Sequence, residues 1–160
     1  MLLAVVLVVF TCPRGHSYTS SIQNFLANPG SFSQMSRLLA ETRLDALLSK
    51  GKLIGGGPYT LIAPTDAAFS TFGRLGLLTN TKNTANNAAN LEKFVKYHIL
   101  PGRRRKKSLR PRSRERTLTD EALEIDFLDN ILYSIDVDNG IIHVIDKVLV
   151  NPALKKIIYP

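Results

Sequence analysis

Asn139-Gly140-Ile141-Ile142-His143-Val144-Ile145-Asp146-Lys147-Val148-Leu149 is the stretch from which the rest of the chain is read. Side chains alternate between the two faces of a strand, so Ile141, Ile145 and Leu149 point one way and Ile142, Val144 and Val148 the other. An apolar set on each face predicts a central strand covered from both sides. Asn139-Gly140 ahead of it is a strong hairpin signal, because both residues tolerate positive φ. Residues 131–137 are then its antiparallel neighbour.

Nearer the amino terminus, residues 59–63 read as a short strand that Pro64-Thr65-Asp66 turns into a helix. Thr65 caps the free amides, and Asp66 sits in the first turn, where its charge suits the helix dipole. Residues 18–28 carry Ile22, Phe25 and Leu26 at helical spacing and are stopped by Asn28-Pro29-Gly30. A second helix takes Ser33 as its N-cap and presents Met35, Leu38, Leu39 and Thr42. Leu44, Leu47 and Leu48 repeat that spacing out of phase, which predicts a break near Thr42-Arg43.

Residues 79–90, rich in Asn and Thr, read as a loop. The helix after it carries Leu91, Phe94, Val95 and His98 on one face. His98 therefore points into the core as a hydrogen-bonded histidine, not a catalytic base. Tyr97, one position off that face, presents its hydroxyl at the edge. Leu123, Ile125 and Phe127 alternate with Glu124 and Asp126 as a half-buried strand. Residues 128–130 form a turn, and 151–160 a short tail beyond the sheet.

Three of these stretches resemble motifs of the fasciclin domain, an extracellular cell-adhesion module. Residues 59–69, YTLIAPTDAAF, resemble its opening motif, with Ile62 where the family usually has Phe. Tyr97-His98-Ile99-Leu100-Pro101-Gly102 resembles its Tyr-His motif, and residues 139–149 its closing motif. The order is the family's and the spacing is near it, and the resemblance spans roughly residues 20–150, with a disturbed region between Arg103 and Asn130. It implies an α+β fold, a small antiparallel or mixed β-sheet wedge with N-terminal helices packed on it.

By the same resemblance, Tyr97 and His98 lie in the motif associated with integrin-like cell-surface receptors, and matrix proteins are the other class of partner. The family has at least one more strand between the Tyr-His and closing motifs. This chain has a basic segment there, which implies either a thinned sheet or an error in the underlying gene model. Ser134-Ile135 stands where the family has Asp-Ile. Asp136 follows, its side chain expected on the opposite face.

The net charge of +8 is concentrated in one place. Arg103, Arg104, Arg105, Lys106, Lys107, Arg110, Arg112, Arg114 and Arg116, against Glu115 alone, account for all of it. With Leu109 its only aliphatic residue, segment 103–116 is predicted to be a flexible, extended loop. It is either a solvated insertion without function or a polyanion-binding stretch. Its arginines suit sulfate and phosphate groups through charge-assisted, often bidentate contacts. No aromatic side chain is interleaved to stack bases, so heparan sulfate is favoured over nucleic acid.

Residues 2–10 form an unbroken apolar run, too short to cross a bilayer as a helix. They suit the hydrophobic region of a signal peptide, with small residues Gly15 and Ser17 where a peptidase reads. Residues 1–17 are therefore expected to be removed, leaving a fasciclin-like domain over 18–150. A buried N-terminal strand is the competing reading. Cys12, the only cysteine, would leave with the leader, so no disulfide or thiolate metal site is expected. There is no second apolar stretch long enough for a membrane span or lipid-anchor signal, and no N-glycosylation sequon.

His98 and His143 sit in apolar patterns, and no nucleophile elbow, phosphate-binding loop or metal-ligand spacing is present. The sequence thus points to a secreted, non-catalytic adhesion or matrix-interaction module without cofactor. Polyanion binding through 103–116 is the alternative.

Overall fold

The computed structural model describes residues 21–27, 31–49, 57–74, 84–119 and 121–159. The leader-like residues 1–17, the stop at 28–30 and residues 79–83 lie outside these. The described elements run α1 (Ile22–Leu26), α2 (Ser33–Glu41), α3 (Leu44–Ser49), β1 (Tyr59–Pro64), α4 (Asp66–Phe72), α5 (Thr84–Lys96) and β2 (Ile99–Pro101). They continue with β3 (Arg114–Arg116), β4 (Ala122–Glu124), β5 (Ile131–Val137), β6 (Gly140–Ile145) and α6 (Pro152–Ile158). The architecture is α+β.

The main sheet is mixed, in the order β2-β1-β6-β5. β6 is central, parallel to β1 from Tyr59 opposite Gly140 to Pro64 opposite Ile145, and antiparallel to β5. Every residue of β1 and β6 is buried. Tyr59, Leu61, Ala63, Ile142 and Val144 join a core with Ile22, Met35, Leu38, Leu39 and Phe94 of the helices. On the other face Ile62 and Ile145 pack with Tyr97, Leu100, Leu109, Leu123, Ile125 and Phe127. β6 stops at Ile145, yet Val148 and Leu149 still go to opposite cores, as their alternation predicts.

That second layer corrects the expected flexible, extended loop. Segment 103–116 lies against the sheet with Leu109 as its apolar anchor, only 4 % exposed. Its end forms β3, paired antiparallel with β4, Arg114 opposite Glu124. The alternation of Leu123, Ile125 and Phe127 is as read, although the paired strand covers only Ala122–Glu124.

The hairpin is also built differently. Val137 pairs with Gly140, so the turn residues are Asp138 and Asn139. Neither takes positive φ, and nor does Gly140. Glycine is needed at 140 because a Cβ there would stand 1.8 Å from the Tyr59 carbonyl oxygen. Asn139 ties three elements together. Its carbonyl accepts from Tyr59 N–H at 3.0 Å and its side-chain oxygen from Ile22 N–H at 2.9 Å.

Among the helices, the break between α2 and α3 falls at Thr42 and Arg43, the latter at φ 59°. Ser33 is the first residue of α2, not its cap. Asp66 of α4 does the capping from outside, accepting from Ser33 N–H, Ser33 Oγ and Gln34 N–H at 3.2, 2.7 and 2.9 Å. Burial alone would raise the Asp66 carboxyl, but those hydrogen bonds outweigh it and hold it below its ordinary value. Thr65 caps α4 through Ala68 N–H.

α5 begins at Thr84, seven residues before the apolar stripe starts at Leu91. Residues 85, 88 and 89 are alanines, which favour helix without marking a buried face. Residues 151–159 do not form the expected tail. Asn151 and Pro152 start α6, which buries Leu154 and Ile158 against the main core.

His98 locks the end of α5 to both neighbours. Its carbonyl accepts from Ile62 N–H at 2.8 Å. Leu149 N–H donates to Nε2 at 3.2 Å, which leaves the ring proton on Nδ1, donated to the Phe94 carbonyl at 2.8 Å. Burial pushes this histidine down to about 4.

Two predictions follow from this packing. Gly140→Ala forces backbone apart where no side chain can yield, and denaturant melts should show a loss of about 3 kcal/mol or more. His98 is neutral when folded but takes up a proton below its ordinary 6.5 when unfolded. Its contribution is therefore complete above that pH and is lost as pH falls toward 4, on the order of 3 kcal/mol in all. Melting temperature should decline across that window, and His98→Gln should be less stable at neutral pH with a shallower decline.

Candidate functional site

Tyr97 and His98 part company in the fold. Tyr97 leaves the end of α5 toward the second layer and lines a cleft of about 520 Å³ between β4, residues 147–150 and α6. Glu121, Glu124, Asp126, Arg114, Lys147 and Lys155 give it a polar wall, over a floor that includes Leu123 and Leu149. Burial pushes the Tyr97 phenol up to about 12, helped by the charges of Glu121, Asp126 and Glu124. It is a neutral hydrogen-bonding group at any physiological pH. His98 is fully buried, with both ring nitrogens taken. Of the two, only Tyr97 borders the cleft, and it is itself just 5 % exposed.

Lys147 pairs with Asp126 at 3.4 Å, and one Glu121 oxygen accepts from Ala153 N–H at 3.0 Å while the other is buried without a partner. The cleft suits hydrogen bonding and charge pairing with a ligand of mixed polarity. Among the described residues no group of three His, Cys, Asp or Glu is placed to hold a metal ion.

The basic segment is strapped to the sheet by polar contacts. Arg103 donates to the carbonyls of Val137, Gly140 and Asp138 at 3.1, 2.8 and 2.9 Å, closing the β5–β6 turn. Arg104 N–H donates to Thr60 Oγ1 at 2.7 Å. Arg105 pairs with Asp136 at 2.9 Å. Arg112 and Ile125 are joined through backbone at 3.0 Å. The side chains of Arg104, Lys106, Lys107, Arg110, Arg112, Arg114 and Arg116 remain exposed. Charge density argued for a loop; a guanidinium with five donors can instead satisfy carbonyls that would otherwise face water.

His143 joins this segment to β5. Its Nε2 donates to the Arg104 carbonyl at 2.6 Å, so Nδ1 accepts from Ser134 Oγ at 2.6 Å. Burial lowers its pKa; the nearby Lys106 charge acts the same way, against the Arg104 carbonyl and Asp136. Ser134 and Asp136 share a face, contrary to the expected opposition, because residues two apart in a strand point the same way. With Ile141 and His143 they line a groove of about 360 Å³ beside Arg105, Lys106 and Lys107. The sequence marked Ser134 only as the replacement of the family's Asp, and the register sets it opposite His143.

No described helix is long and apolar enough to cross a membrane. The Fasciclin domain family model matches residues 30–151. The uncharacterized protein sll1735 of Synechocystis sp. is 32% identical over 101 residues, covering 58% of this chain and 73% of that protein. Protein sll1483 of the same organism is 32% identical over 108 residues, covering 60% of this chain and 57% of its own length. With the motifs at 59–69, 97–102 and 139–149 all inside the matched span, the chain belongs to the fasciclin domain family.

Proposed function

We propose that this chain is an exported, non-catalytic adhesion module that binds a cell-surface receptor of integrin type, or a matrix protein, beside Tyr97. The observation that carries this reading is the division of the Tyr-His motif: Tyr97, though only 5 % exposed, lines an open cleft, while both ring nitrogens of His98 are used inside the fold. The family's general link to adhesion supports it. The histidine serves by holding the fold, the tyrosine by touching the partner.

Attachment of integrin-bearing cells to the immobilised protein measures this directly. Tyr97→Phe should reduce attachment several-fold while leaving the melt unchanged, since the ring still fills its place among Leu123 and Leu149. Undiminished attachment would put the contact elsewhere. Export predicts that protein recovered from culture medium begins near Tyr18, as N-terminal sequencing would read.

The nine cations of segment 103–116, all exposed, favour a second reading, binding of a sulfated polysaccharide such as heparan sulfate. Exposed charges act over roughly a Debye length, about 8 Å at physiological salt, so this affinity should fall steeply as salt rises. Replacing Lys106, Lys107, Arg110 and Arg116 by Ser should lower the salt needed to elute from heparin, with little change in the melt. Arg103→Ser removes three bonds to the β5–β6 turn and should cost about 1–3 kcal/mol. Equal elution of parent and multiple variant would end the polyanion reading.

A further inference from the structure

β5 lies at the end of the main sheet and has one neighbour among the described strands. Asn139 and Ile145 accept from Tyr59 N–H and Thr65 N–H. Odd-numbered residues of β6 therefore turn their backbone toward β1, and even-numbered ones toward β5. Ile135 and Val137, opposite Ile142 and Gly140, are bonded inward. The N–H and C=O groups of Ser134 and Asp136 then point away from the sheet, and among the described residues no other element takes them up.

Such edges are commonly blunted by charge, shortness or a bulge. β5 has an irregularity between Ile131 and Tyr133, which disturbs its first half and leaves residues 133–137 in register. What flanks the regular half is not neutral. Leu132 and Tyr133 are 55% and 47% exposed, two of the three large hydrophobic residues standing out from the described surface. Tyr133 shares the face of its partner Val144, on the helix side. The opposite face carries the groove lined by Arg105, Lys106 and Lys107. Asp136 matches Arg105, whereas Lys106 and Lys107 have no carboxylate within ion-pair distance among the described residues.

A strand laid about 4.8 Å outside β5 would set alternate side chains over that groove and the rest beside Tyr133. We infer that the β5 edge binds an extended peptide segment of a partner protein, alternating acidic and apolar residues, which adds to the sheet as a further strand. Backbone bonds to Ser134 and Asp136 supply register, Lys106 and Lys107 select acidic side chains, and Tyr133 takes the apolar ones. A polysaccharide would use the cations but leave the outward amides and Tyr133 idle, so the peptide is the better fit. This surface is separate from the Tyr97 cleft, and neither reading depends on the other.

A labelled short peptide alternating valine and glutamate, titrated by fluorescence anisotropy at physiological salt, tests it. Saturable binding is expected, weakened about tenfold when alternate peptide nitrogens are methylated and again in Lys106→Ser/Lys107→Ser, which corresponds to roughly 1.4 kcal/mol each time. Amide exchange at Ser134 and Asp136 should slow on peptide addition, while Ile135, already bonded to β6, changes little. A valine–lysine peptide should not bind. Equal affinity for the methylated peptide, or displacement by heparin fragments without protection of those amides, would show a polyanion face and overturn strand addition. Absence of saturable binding would overturn it outright.

Discussion

The Tyr59 carbonyl occupies the place where a side chain at residue 140 would begin. Because Gly140 has none, β1 and β6 can start side by side and run parallel for their full length. This first pair sets every later one. Thr60 then stands opposite Ile141 and Ile62 opposite His143, while Leu61 and Ala63 face the helices with Ile142 and Val144. A slip of β6 by one residue would turn His143 into the helical core, away from the Arg104 carbonyl that holds it now. Asn139 reinforces the start by binding β1 through its carbonyl and α1 through its side chain. One close backbone approach thus decides which face meets the helices.

The two faces are covered by different means. Helix packing on the first is mostly apolar, with Phe94 touching Phe69 and Phe72 at ring separations of 6.5 and 6.3 Å. The second layer has a smaller apolar core and relies on polar straps at its ends. His98 and His143 supply two of them with opposite tautomers, protonated on Nδ1 and Nε2 respectively. Each holds a stretch without strand pairing, Leu149 in one case and Arg104 in the other. Burial lowers the pKa of both, so both remain neutral, as their bonding requires. A charged ring at His98 would have to give up its acceptor role toward Leu149.

The features legible in the sequence were those that rest on local periodicity or chain chemistry. The two-sided apolar run of β6, the Thr65 cap, the break at Thr42-Arg43 and the inward His98 all depend on residues a few positions apart. What was missed depends on partners far along the chain. Asp66 caps α2 from thirty-two residues away, and Gly140 is constrained by Tyr59, which no hairpin rule anticipates. The alanine-rich start of α5 lacked an apolar stripe because most of its described residues are exposed. Of the candidate site, the motif pointed to Tyr97, but Glu121 had no pattern of its own, and the alternation marked Glu124 and Asp126 only as the polar face of a strand. The basic segment reads as a flexible, extended loop because charge density measures repulsion between side chains and says nothing of what the backbone beneath them can bind.

That segment also shows how a concentrated charge is made compatible with packing. Arg103 and Arg105 are directed onto carbonyls and Asp136, and Leu109 is turned inward. The remaining cations point to water on a short turn and strand, where solvent and salt weaken their mutual repulsion. The result is uneven across one layer of the protein. Around Tyr97, Arg114, Lys147 and Lys155 are countered by Glu121, Glu124 and Asp126. Beside β5, Lys106 and Lys107 are not countered. A partner approaching from solution meets a positive potential at the sheet edge and a nearly balanced one at the cleft, so acidic partners are steered to the former. At the proposed Tyr97 site the balanced charge leaves shape and close-range hydrogen bonding as the means of recognition, and the tyrosine, neutral and only 5 % exposed, forms part of the wall.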